Sequence, residues 1–131
     1  MTAHRHLIVD GYNVIHGLKR FSKGSLEERR IGLERAVELL AATEGMEWTI
    51  CFDGRESHRN FEAVPHLLFS EKEGADALME RLAYQAKERR ELLFVTNDHT
   101  LGNFLFGLGA SILSVEDFEK RVQQAERALG R

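Results

Sequence analysis

The sequence predicts an α/β fold, a three-layer doubly wound, mostly parallel sheet with helices on both faces. Three observations point there. Short apolar runs alternate with stretches of helical periodicity along all 131 residues. Those runs are hydrophobic at consecutive positions, as in strands covered on both faces, rather than at every second one. Three of them stop at an aspartate beside a turn-forming residue: Asp10-Gly11, Asp53-Gly54 and Asn97-Asp98. A single domain over residues 1–131 is large enough for one such sheet.

Leu7-Ile8-Val9 reads as the first buried strand, with Asp10-Gly11 as its exit turn. Ser25-Leu26-Glu27-Glu28 has capping-box spacing and opens a helix that runs to about Gly45. Leu26, Leu33, Val37 and Leu40 share its apolar face, which leaves Arg29, Arg30 and Arg35 for the surface. The second strand is Trp48 to Phe52, followed by a polar loop from Arg55 to Asn60, and Leu67-Leu68-Phe69 form the third strand. The periodicity of Leu78, Leu82 and Ala86 predicts a helix from about Gly74 to Arg90. Leu92 to Thr96 is the fourth strand, Thr100 to Leu108 a short helix, and Ile112-Leu113 the fifth strand. Ser114 caps a last helix carrying Val115, Phe118, Val122, Ala125 and Leu129 on one face, which packs on the sheet or forms a weak dimer seam.

The composition is 43% hydrophobic and 30% charged, which excludes a disordered chain. No apolar run is long enough for a membrane helix, and the first residues lack a signal peptide's apolar core. The one cysteine, Cys51, has no partner for an internal disulfide and reads as a buried thiol of a cytoplasmic protein. A net charge of −3 excludes a strongly basic nucleic-acid binder, so any RNA contact must come from local basic patches.

Asp10, Asp53 and Asp98 end strands, and open parallel sheets bind ligands at the carboxyl ends of their strands. Asp76, in the first turn of a helix, can reach the same crevice. Crowded carboxylates raise one another's pKa and oppose folding unless a cation compensates them. One or two hard ions, Mg²⁺ or Mn²⁺, meet that need and support phosphodiester hydrolysis. Taken singly, the same residues also serve as turn formers at Asp10 and Asp53, an N-cap at Asp98 and a first-turn acid at Asp76.

Leu7-Ile8-Val9-Asp10-Gly11-Tyr12-Asn13-Val14-Ile15 resembles the opening motif of the NYN domain, a branch of the PIN-like nucleases. Phe52-Asp53-Gly54, Gly74-Ala75-Asp76 and Val95-Thr96-Asn97-Asp98 follow in the expected order, and the nearest form resembles the bacterial YacP-like group. The resemblance implies a metal-dependent endoribonuclease, with Asp10, Asp76 and Asp98 as metal-binding acids and Asp53 as a less uniform addition. It implies that Asn13 orients water or phosphate beside them, and that Thr96 bonds within the site. RNA is the implied partner, in some members messenger RNA at the ribosome. The chain departs from the family's usual pattern at Asn97, where Ser is common, and at Leu101-Gly102, where polar residues are. Glu116 and Asp117 are available as a further acid or as first-turn residues of the last helix.

Lys19, Arg20, Lys23, Arg55 and Arg59 are candidate phosphate contacts, Tyr12 a candidate base-stacking ring, and Thr96 and Asn97 further substrate contacts. Three rivals stand beside the nuclease. A haloacid-dehalogenase-type phosphatase also begins from an aspartate after the first strand, but wants an acid where Tyr12 stands. A metal-independent ribonuclease would need two of His4, His6, His16, His58, His66 and His99 to converge. A silent RNA- or ribosome-binding module would keep the fold without the chemistry.

Overall fold

The computed structural model describes residues 4–54, 66–70 and 72–130. Its strands are β1 (His6–Asp10), β2 (Glu47–Phe52), β3 (Leu67–Phe69), β4 (Leu92–Val95) and β5 (Ser111–Leu113). Its helices are α1 (Gly11–Gly17), α2 (Leu26–Glu44), α3 (Ala75–Gln85), α4 (His99–Gly107) and α5 (Val115–Ala128). All strand pairings are parallel, in the order β3-β2-β1-β4-β5. The chain winds outward from β1 to β3, then crosses back to β4, so the order reverses between β1 and β4. A parallel sheet opens a crevice at the carboxyl ends of the strands where its order reverses.

Alternation along β1 divides the core into two layers. Leu7 and Val9 face α1, α2 and α5, together with Ile50, Phe52, Val95 and Phe118. Ile8 faces α3 and α4, with Cys51, Phe94, Met79 and Leu105. The expected doubly wound, three-layer α/β fold is what forms. Cys51 is buried and free, its thiol pushed up to about 12 by burial first and by the nearby Asp10 charge second. No described helix is long and apolar enough to cross a membrane.

Local chemistry accounts for the helix ends. Ser25 caps α2 through a complete capping box with Glu28, and Gly45 closes the helix at φ +71°. Ser114 caps α5 by accepting from the Asp117 backbone N–H.

Several elements differ from the sequence reading. Asp10-Gly11 is not an exit turn, because β1 runs directly into α1. Gly11 permits this close passage, since a Cβ there would overlap the Phe52 ring. The helix expected to reach Arg90 ends at Gln85, and Ala86 is already extended. There Arg89 folds back, its Nε donating to the Ala83 carbonyl at 3.0 Å, which satisfies an end-of-helix acceptor. On α2, Leu26 is exposed, whereas Arg30, expected on the surface, is only 4% exposed. The Arg30 guanidinium packs over the rings of Tyr12, Phe52 and Phe69 and donates to the Tyr12 hydroxyl. On the last helix, Leu129 lies just past the end of α5 and is exposed.

Candidate active site

Every strand end and helix start that reaches the reversal point delivers at least one polar group to it. A crevice of about 600 Å³ is lined there by Asp10, Asn13, Asp53, Asp76, Asn97 and Asp98, with Tyr12, His16, Gly17 and Ala75 completing its walls. Asp10 is the last residue of β1, and Asp53 immediately follows β2. Asp76 lies in the first turn of α3, and Asp98 is the N-cap of α4.

One hydrogen bond orients each carboxylate. Asp10 Oδ2 accepts from Thr96 Oγ1 at 2.9 Å, and Asp53 Oδ1 accepts from the Ala75 backbone N–H at 2.6 Å. Asp76 Oδ1 accepts from the Ala77 N–H at 2.9 Å, and Asp98 Oδ1 from the Leu101 N–H at 3.0 Å. Buried Thr96 also accepts from the Asp98 N–H at 3.1 Å, so its hydroxyl links the ends of β1 and β4. Gly74, before α3, has φ +90°, and a Cβ there would lie 2.9 Å from Asp76 Oδ1. Only a glycine combines that backbone angle with room for the carboxylate.

Burial and the neighbouring acids both act on Asp10. The Asp10 carboxyl is raised from 3.8 to about 6, by burial above all. The Thr96 hydrogen bond opposes this, while the charges of Asp53, Asp98 and Asp76 add to it. Among the described residues no Lys or Arg lines the crevice.

This donor set fits a hard divalent cation: four carboxylates and two amides, with the His16 imidazole and no thiol among the lining residues. Among the described residues no three acidic, His or Cys side chains stand close enough together to hold a metal ion as they are placed.

Asn97, which lines the crevice, also ties neighbouring elements together. Its backbone N–H donates to Asn13 Oδ1 at 2.7 Å, and its Oδ1 accepts from the Val115 N–H at 2.9 Å. Its Nδ2 donates to both Glu116 oxygens, at 3.1 and 3.0 Å. Asn97 therefore fastens the start of α5 to the crevice, and it occupies Glu116 in doing so. Glu116 does not line the crevice.

None of the described basic candidates lines the crevice. Arg20 faces α5, bonded through Nε to both Glu119 oxygens at 2.9 Å and through Nη2 to Glu126 Oε1 at 2.9 Å. A guanidinium held between two carboxylates is not open to a phosphate, which removes Arg20 from the contacts. Lys19 and Lys23 are exposed but line no part of the crevice. Arg55 and Arg59 lie outside the described residues.

The rivals fare unevenly. Tyr12 holds the position where a dehalogenase-type phosphatase needs its acid, and its hydroxyl is taken by Arg30. Of the described histidines only His16 lines the crevice. His6 bonds Thr49 at 2.8 Å at the start of the sheet, and His66 stacks on Trp48. His16 and Gly17 were missed as lining residues because they belong to α1, the helix that the sequence reading took for a turn.

Comparison with known proteins agrees with this architecture. Two crystal structures of Rae1 (YacP) from Bacillus subtilis are similar. One, of a point mutant, has a TM-score of 0.81 and 27% identity over 97% of this chain and 80% of that chain. The other has a TM-score of 0.79 and 25% identity over 100% and 79%. No curated protein sequence matches at comparable significance. Residues 7–131 match the family described as the YacP-like NYN domain, from the first strand with its Asp10 through the last helix. With an all-parallel sheet reversing at β1 and β4, and acids at its strand ends, the chain belongs to the YacP-like NYN family and carries its nuclease-like domain.

Proposed function

We propose that the protein is a metal-dependent endoribonuclease that hydrolyses RNA phosphodiester bonds, using one or two Mg²⁺ or Mn²⁺ ions held by Asp10, Asp76 and Asp98, with Asp53 beside them. The observation that carries this reading is the convergence of four carboxylates on one crevice, Asp10, Asp53, Asp76 and Asp98. When bound, the ion lowers the pKa of water and stabilises charge on phosphate oxygens.

The chain's own residues supply orientation. Asp10 sits innermost, held by Thr96, and Asp98 is fixed by the helix it caps. Asn13 spends its carbonyl on the Asn97 N–H, which leaves its Nδ2 to donate to a phosphate oxygen or water. Asp53 secures the first residue of α3 and so sets where Asp76 begins. Tyr12, braced by Arg30, forms a wall against which a base can rest. Lys19 and Lys23 act by drawing the RNA backbone toward the protein, with Arg55 and Arg59 as further contacts. Messenger RNA presented on a ribosome is one substrate the family resemblance implies, and the cytoplasm is the matching compartment.

The test incubates the protein with structured and unstructured RNAs in Mg²⁺, Mn²⁺ or chelator, beside Asp10→Asn, Asp76→Asn and Asp98→Asn. The expected result is internal cleavage that requires the ion and each of the three acids, with products free of cyclic phosphate. Cleavage that survives chelation removes the metal mechanism. RNA bound but uncut under every ion puts the silent binding module in its place.

A further inference from the structure

Beside the crevice lies a second groove of about 410 Å³, between α4 and the start of α5. The two share Asn97 and Asp98 as a common rim, so the groove continues the site. Its walls include His99, Asn103 and Phe106 of α4 and Asp117 of α5. Phe106 is 71% exposed, which leaves most of an apolar ring in water. Two other exposed rings, Tyr84 and Phe104, contact each other edge to face, while Phe106 contacts no ring among the described residues. No described Lys or Arg lines the groove, and two carboxylates do, which disfavours a phosphate and favours a neutral, flat, hydrogen-bonding occupant.

We infer that this groove is a nucleobase subsite, in which the base of a nucleotide flanking the cleaved phosphodiester stacks on Phe106. The inference rests on the ribonuclease reading and deepens it. Every base offers a π-face to an aromatic platform, so stacking holds single-stranded RNA without demanding a particular sequence. The Asn103 amide, the His99 ring and the Asp117 carboxylate give the base edge hydrogen-bonding partners. Because Asp98 belongs to both cavities, a base seated here sets its own phosphate over the carboxylates.

The test uses short unstructured RNAs whose cut site has been mapped with the wild-type protein. In further copies, one nucleotide on either side of the cut is replaced by an abasic ribose. The abasic substitution at one flanking position is expected to lower wild-type kcat/KM about tenfold, a typical loss for one stacked base. Phe106→Ala should show the same loss on the intact RNA and no additional loss on the abasic one, whereas Phe106→Trp keeps wild-type behaviour. Circular dichroism should confirm that both variants fold. Phe106→Ala cleaving intact RNA like wild type, or keeping the full abasic penalty, overturns the subsite and leaves a protein-docking role for the exposed ring. The same pairings are measured as binding, by fluorescence anisotropy on the Asp10→Asn background. If wild type cuts no RNA, the ribonuclease reading fails by itself, and the anisotropy pairings still decide whether Phe106 holds a base.

Discussion

Asp10 makes the site costly to the fold, and the cost depends on pH. Its carboxyl ordinarily titrates at 3.8 and is raised to about 6 in the folded chain. Between those values the folded protein holds a proton that the unfolded chain has released, so this group's contribution to stability falls as pH rises through the window. Above about pH 6 the penalty is complete, on the order of 2–3 kcal/mol. In chelator, Asp10→Asn should therefore be more stable than wild type at pH 7.5 by about that amount. Urea denaturation should show the gap closing toward pH 4. An equal difference at both pH values would mean that the carboxylate is not strained. Thr96 acts through Asp10 and Asp98 rather than on substrate. Thr96→Val should lower metal affinity about ten- to hundredfold, as for other groups that orient a ligand. Thr96→Ser, which keeps the hydroxyl, should recover most of it, and isothermal titration with Mn²⁺ measures both.

Among the elements, the start of α3 is the most tightly specified. Gly74→Ala forces an L side chain to φ +90° and presses on the Asp76 carboxylate. It should cost about 1–3 kcal/mol of stability and weaken metal binding with it, read by thermal melts with and without Mn²⁺. The start of α2 lies outside the site. Ser25→Ala breaks the capping box and should cost about 1 kcal/mol while leaving RNA cleavage unchanged. Both ends of α2 and the start of α5 were legible in the sequence because Ser25, Glu28, Gly45 and Ser114 act on their immediate neighbours. The helix α1 was not, for Gly11-Tyr12-Asn13 is turn chemistry, and Asp10 makes no side-chain cap that would mark a helix start. Nor was the burial of Arg30, since its three rings come from α1, β2 and β3 and meet only in the folded molecule. The partners of Arg20 stand 99 and 106 residues away, beyond any local pattern.

For the whole molecule, the doubly wound fold followed from consecutive apolar runs alternating with helices, and the acids' gathering followed from the carboxyl ends of parallel strands. What the strand-end pattern alone left open was which oxygens are already engaged, a matter of contacts between Thr96, Ala75, Ala77 and Leu101 and their acids. A crevice rich in carboxylates and without a described Lys or Arg should bind divalent cations even without RNA. Mg²⁺ or Mn²⁺ at a hundred times its dissociation constant should stabilise the fold by about 2.7 kcal/mol, raising Tm by several degrees. Asp10→Asn should show much less of that rise, and an identical rise in both would place the ion elsewhere.

The strand order has a consequence for how the chain comes into being. β1 is made first and lies at the centre of the sheet, yet its partner β4 begins only at Leu92. Until that stretch has been synthesised, one edge of β1 has no native neighbour, and Thr96 and Asp98 do not yet exist. A nascent or truncated chain therefore carries an open strand edge and half a cation site, so sheet closure and completion of the acidic cluster are a single late event in its synthesis.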